Sequence, residues 1–208
     1  MGVVVVEAPT WPLVPPDEAK AHVKIDADVT DYDGEIGGML LAASESVDGP
    51  PGDYGIAVGL QTLLATFEGF SHRPLPPGAF GRERDAMLEL PYPPLVSVVW
   101  VKYLDPQGVE HQLDPDDYEL VQGGIEPGGI RPAPGKSWPA TMGGPDTVRV
   151  QFVAGYEALP SRIRAAILLI VGDLFQNREA QFVEGRIVVL PNPTVDGLLG
   201  RFRQPVVR

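Results

Sequence analysis

Thr147-Val-Arg-Val-Gln-Phe-Val-Ala-Gly-Tyr156, followed by Pro160-Ser-Arg-Ile-Arg-Ala-Ala-Ile-Leu-Leu-Ile-Val-Gly-Asp-Leu-Phe-Gln-Asn177, changes its apolar period midway. Val148, Val150 and Phe152 alternate with polar neighbours, which predicts a half-buried strand. After Pro160 the period becomes 3.6. Ile163, Ile167, Ile170, Val171, Leu174 and Phe175 form one stripe, while Arg162, Arg164, Asp173 and Arg178 lie mostly elsewhere. That pattern predicts a central core helix, closed by Asn177-Arg-Glu-Ala180. A strand that feeds a core helix without alternating β and α units places the chain in the α+β class.

Upstream of this stretch the strands continue. Gln61–Phe67 and Met87–Leu90 read as strands, and Leu95–Leu104, rich in branched and aromatic residues, reads as the strongest one. Asp105-Pro-Gln-Gly108 reads as a turn, Val109–Leu113 as the returning hairpin partner, and Asp117–Val121 as a further strand. Residues 7–16 are proline-rich and extended. Asp17 opens a short helix through Ile25, and a second helix runs from Asp31 to Val47 with Tyr32, Ile36, Leu40, Ala43 and Val47 on one face. Gly34, Gly37 and Gly38 weaken its first half, or leave it bare enough for another helix or subunit to approach. Pro/Gly-rich loops are expected over 48–59 and 71–85, an extended passage through 188–191, and a short last helix from Val195 to Phe202. The expected architecture is a small helical body with an inserted antiparallel β module. Residues 1–58 supply an extended arm and helices, 59–156 the β module, and 157–208 the core helix, last helix and tail.

Proline and glycine number 23 and 24 of 208 residues, which predicts many short elements joined by loops. With no cysteine there is neither a disulfide nor a thiolate metal site. The N-terminus lacks the basic region of a signal peptide, and the longest apolar run, Ala165–Val171, is far short of the roughly twenty residues that cross a bilayer, so a soluble chain with no membrane partner is expected. The net charge of −12 divides unevenly, as −15 over residues 1–120 and +3 over residues 121–208. Such a chain can meet its own kind head to tail, or set a basic end against an acidic partner.

Gly135-Lys-Ser137 suggests a phosphate loop, but the glycine such a loop needs five residues before Gly135 is Ile130, and Trp138-Pro139 opposes the helix that should follow. It reads as a turn. His22, His72 and His111 sit in separate segments without metal-ligand spacing. The acids Asp26, Asp28, Asp31, Asp33 and Glu35 do not fit a calcium loop, because Val29 and Leu40 fall where oxygen ligands belong. Acids favouring the start of a helix account for them better. No catalytic residue, cofactor site or metal site is assigned. Asp116, Asp117 and Lys136 are the residues around which a small hydrolase would have to be built. A third reading is a binding module with an acidic face for a basic protein.

The ordered series of segments resembles the head-to-tail connector (adaptor) proteins of tailed phages and gene transfer agents. It comprises Asp17–Val23 with the acid-rich stretch after it; Leu88-Glu-Leu-Pro-Tyr-Pro-Pro-Leu-Val-Ser-Val98; Val101–Gly108; Leu113-Asp-Pro-Asp-Asp-Tyr118; Pro134-Gly-Lys-Ser-Trp-Pro139; Val148–Tyr156; and Pro160–Ala180. It covers most of residues 17–180. The glycine-rich second helix and the loops over 48–59 and 71–85 depart from the family pattern. The resemblance implies a non-enzymatic adaptor at the neck of a virion or phage-like particle, assembled in the bacterial host cytoplasm. It implies a ring of twelve copies that binds the portal protein and a tail or stopper protein, with DNA passing through the lumen as non-specific cargo. The basic C-terminal segment is the expected portal or subunit interface, through Leu198, Leu199, Arg201, Phe202, Arg203 and Arg208. Deletion of 198–208 is expected to abolish portal binding and leave the fold intact.

Overall fold

The computed structural model describes residues 1–70, 87–177, 182–183, 186–187 and 192–204. The loop expected over 71–85 and the extended passage over 188–191 lie outside the described residues. The fold is α+β, with β1 (Gly2–Glu7), α1 (Pro16–His22), α2 (Asp33–Val47), β2 (Gln61–Phe67), β3 (Leu88–Glu89), β4 (Leu95–Leu104) and β5 (Glu110–Gln112) in chain order. There follow β6 (Tyr118–Val121), β7 (Gly129–Pro132), β8 (Val148–Ala154), α3 (Ser161–Gln176), β9 (Phe182–Val183), β10 (Arg186–Ile187) and α4 (Pro193–Leu199).

The strands form a five-stranded sheet in the order β1-β2-β8-β4-β5, a three-stranded sheet β3-β7-β6 and the β9/β10 pair, all antiparallel. Leu63, Ala65 and Phe67 of β2 and Val148, Val150 and Phe152 of β8 project to one face. There they share a core with Leu88 and Ile130 of the smaller sheet. β4 carries two bulges, between Leu95 and Ser97 and between Val98 and Trp100, so its alternation is reset twice while it stays paired with β8. Gly135 turns with φ +79°, and the Lys136 amide donates to Ala133 O at 2.9 Å, so the Gly-Lys-Ser segment is a turn.

A second core belongs to the helices. Ile36, Leu40, Ala43 and Val47 of α2 pack with Ile163, Ala166, Ile167 and Val171 of α3, joined by Val195, Leu199 and Phe202. Burying each such aliphatic or aromatic side chain is worth roughly 1.5–3 kcal/mol. That gain outweighs the cost of three glycines in α2, each about 1 kcal/mol less favourable than alanine. Among the described residues no element closes over Gly34, Gly37 or Gly38, where a Cβ would meet nothing within 4 Å.

α2 carries Asp33 and Glu35 in its first turn, as read from the sequence, but it begins at Asp33, two residues later than expected. Its N-cap is Tyr32, which makes no side-chain cap bond. Asp33 instead pairs with Lys20, whose ammonium is buried and donates to Ala27 O at 3.3 Å and Val29 O at 3.0 Å. The acidic α1–α2 loop is therefore drawn around a lysine one helix away. α3 ends at Gln176, and Asn177 caps it through its own amide and side chain, both donating to Asp173 O at 3.0 Å.

The two cores meet at a tight joint. The Tyr156 amide donates to Val58 O at 3.1 Å, Gly155 N to Pro94 O at 3.0 Å, and Ala57 N to Pro93 O at 3.0 Å. Asp48, at the end of α2, is 2% exposed. Its Oδ1 accepts from the Val58 amide, from the Gly59 amide at 3.2 Å and from Gln61 Nε2 at 2.9 Å, and its Oδ2 accepts from Gln61 Nε2 at 3.1 Å.

Candidate functional site

Among the described residues, four hydrogen bonds hold the C-terminal segment to the rest of the molecule. Asn192 caps α4 by accepting from the Thr194 amide at 3.0 Å, and its Nδ2 donates to Asp173 Oδ2 at 2.7 Å, which ties the start of α4 to the end of α3. Tyr54 Oη donates to Asp196 Oδ1 at 3.3 Å. Beyond the helix, the Gln204 amide donates to Tyr54 O at 2.8 Å, and its Nε2 donates to Ile125 O at 3.2 Å in the β6–β7 loop. The segment thus crosses from the helical core to the β module.

Tyr54 is its centre. Arg203 lies over the Tyr54 ring, 5.1 Å from the centroid, in a cation–π contact. Burial, and then the Asp196 carboxylate, push the Tyr54 hydroxyl above its ordinary value, so it stays a neutral donor at neutral pH. Sequence reasoning did not single out Tyr54, because the contact spans 142 positions and leaves no local pattern.

The six expected interface residues separate into two groups. Leu199 and Phe202 are buried in the helical core, and Leu198 packs against it half-exposed. Arg201 and Arg203 are exposed, and Arg208 lies outside the described residues. Val195, Leu199 and Phe202 stand at i, i+4 and i+7, the helical spacing that marks a core stripe. Deleting 198–208 would open the helical core, contrary to the expectation that the fold survives it.

Asp116 and Asp117 end a short 3-10 turn before β6, and Lys136 lies in a separate exposed turn after β7. Lys136 Nζ pairs with Asp117 Oδ1 at 2.8 Å, both groups well exposed, and the Asp116 amide donates to Asp114 Oδ1 at 3.0 Å. The hydrogen bond to Asp117 holds the Lys136 ammonium above its ordinary value, opposite to what a lysine base or nucleophile requires. His111 Nε2 lies 2.8 Å from Asp105 Oδ2, His22 packs against Gly172, and His72 lies outside the described residues. Among the described residues no three His, Asp or Glu side chains are grouped to hold a metal ion. An open hollow of about 470 Å³ lies beside the stacked pair Phe70 and Trp138, with ring centroids 4.5 Å apart. Glu68 is the one ionisable residue on its described wall.

No protein-family model matches the chain, and no curated protein does. Solved structures do. A chain of the native gene transfer agent (GTA) particle virion aligns with TM-score 0.71 at 20% identity, over 100% of this chain and 98% of that one. A chain in the neck of the empty GTA particle, computed with C6 symmetry, gives 0.70 at 20% identity with the same coverage. One in the neck of the native particle, computed with C12 symmetry, gives 0.67 at 21% identity, again over 100% and 98%. At this identity the likeness establishes the shared fold.

Proposed function

We propose that the protein is a head-to-tail connector in the neck of a phage or phage-like particle. In this reading it docks as a ring of twelve beneath the portal, links it to a tail or stopper protein, and leaves a lumen through which DNA passes. The observation that carries the reading is the end-to-end likeness to chains of GTA virions and necks, which takes in helices and sheets together. The C12 symmetry of one such neck supports the ring number. A cyclic ring uses heterologous contacts that close on themselves, which suits a chain whose first 120 residues carry −15 and whose remainder carries +3. An acidic lumen would let DNA slide past without capture.

The role is structural and not enzymatic, and the protein acts at the particle neck after assembly in the host cytoplasm. Residues 59–156, with β1 added at the edge of their larger sheet, serve as an inserted module on a helical body made from the rest of the flanking segments. The portal-facing surface comprises Arg201, Arg203, the exposed part of Leu198 and the chain on to Arg208, while Leu199 and Phe202 fix that surface to the core. Two tests address the reading. Particles made without this gene should show filled heads that carry no tails, and normal tailed particles would sink the connector role. The variant Arg201→Glu should lower capture by the cognate portal severalfold and shift the melting temperature by no more than about 2 °C, as for surface substitutions. Unchanged capture would remove the C-terminal segment from the interface.

A further inference from the structure

The five-stranded sheet turns one face to the sheet core and the other outward. Leu63, Ala65 and Phe67 of β2 and Val148, Val150 and Phe152 of β8 fill the core, so the residues between them point the other way. Register sets Val4, Leu64, Gln151 and Trp100 in one outward row across β1, β2, β8 and β4, and Gly2, Thr66, Arg149 and Lys102 in the next. Val4 is 60% exposed, and Val6 and Val99, at the bulges of β1 and β4, are each 52% exposed. A sheet face left to water ordinarily carries polar side chains, whereas this one carries valines, a leucine and a tryptophan. Four strands at about 4.8 Å and five residues at about 3.3 Å give it a footprint on the order of 300 Å², the size at which an apolar patch commonly serves as a contact surface.

Charge selects what covers it. Lys102 Nζ lies 3.3 Å from Glu110 Oε1, and Arg149 pairs with the other oxygen of the same carboxylate. Lys102 also stands over the Trp100 ring, 5.1 Å from its centroid. Two bases share one acid, which leaves a positive surplus here on a chain whose net charge is −12. Two copies meeting face to face would set that surplus against itself. An acidic surface fits instead, and the chain has one between α1 and α2, where Asp26, Asp28 and Asp31 are exposed beside the exposed Tyr32 in a run without a base.

We propose that a second copy of the chain covers the outer face of the five-stranded sheet, laying its segment 26–32 across the row from Val4 to Trp100 with its acids toward Lys102 and Arg149. The contact joins two different surfaces, so it runs head to tail. It rests on the ring of the connector reading. The footprint is well under the roughly 800 Å² that each partner gives to a free-standing complex, so closure of the ring and its seat on the portal complete the hold.

Because the chain has no cysteine, introduced thiols report the contact without background. Val4→Cys, Val99→Cys and Asp28→Cys are each labelled with a maleimide in the free full-length chain and in its complex with the cognate portal, where electron microscopy shows whether a ring is present. In the ring, labelling at all three positions should slow about tenfold or more, as in a packed interface. A short bismaleimide should join a Val4→Cys chain to an Asp28→Cys chain in mixed rings, and neither to its own kind. The double variant Asp28→Lys, Asp31→Lys should keep its melting temperature and lower ring formation severalfold. Rings whose Val4→Cys and Val99→Cys thiols label as fast as in the free chain, protection that arises only when a tail or stopper protein is added, absence of the link to position 28, or undiminished rings in the charge variant would each overturn this contact and leave the connector reading standing. Portal complexes without a ring would remove both.

Discussion

At Gly155 the backbone has φ +119°, and a Cβ added there would stand 2.2 Å from the Gly59 carbonyl oxygen. Both strain and collision fall on backbone that is itself bonded into the joint, so relief would require moving β2 away from β8. Gly155→Ala is expected to lose about 3 kcal/mol or more in urea unfolding. A loss under about 1 kcal/mol would mean that the joint yields. Lys20 makes a different kind of contact. Its ammonium gathers Asp33 and two carbonyls of the acidic loop, but Asp33 is half-exposed and can return to water. Lys20→Met should therefore cost about 2 kcal/mol, below the full penalty of a broken buried pair. Lys24→Met, on an exposed neighbour, should stay within about 0.5 kcal/mol. Comparing the two melting curves checks the assignment.

Among the elements, α3 carries the helical core. Ile167→Ala, at a position with no exposure, should cost about 2–5 kcal/mol in chemical denaturation, and Leu174→Ala, 38% exposed, should cost under about 1 kcal/mol. The elements most legible in the sequence are those whose pattern is local. β2 and β4 have the bounds read from the sequence, and α3 buries Ile163, Ile167 and Val171 of its expected stripe while Leu174 at its end is exposed. β1 was not legible, because Val3–Val6 is apolar without alternation and its partner, Thr62–Thr66, lies beyond both N-terminal helices. β7 was hidden for another reason. Gly129-Ile-Arg-Pro132 has the composition of a turn, and it becomes a strand because Ile130 fills a place between β3 and β6. At the candidate site, the exposed charges of Arg201 and Arg203 could be read from composition. The part played by Tyr54 could not, since it rests on contacts between remote segments.

For the whole molecule, two apolar cores share one chain and meet where Asp48, Gly59 and Gly155 leave little slack. The attachments of Gln204 to Tyr54 and Ile125 bring the end of the described chain onto both halves, so a partner that pulls on the C-terminal segment would load helices and sheet together. Removing only residues 205–208 should leave the melting temperature within about 2 °C of the wild type, whereas removal from 198 onward should lower it steeply by exposing Val195 and its neighbours. The position of β2 has a consequence during synthesis. It is flanked by the first strand of the chain and by one that ends at Ala154, so its inner face waits for most of the protein to be made. Closing that long loop comes late and slowly. A nascent chain halted before Val148 would keep Leu63, Ala65 and Phe67 in water, open to proteases and chaperones, until the ribosome resumed.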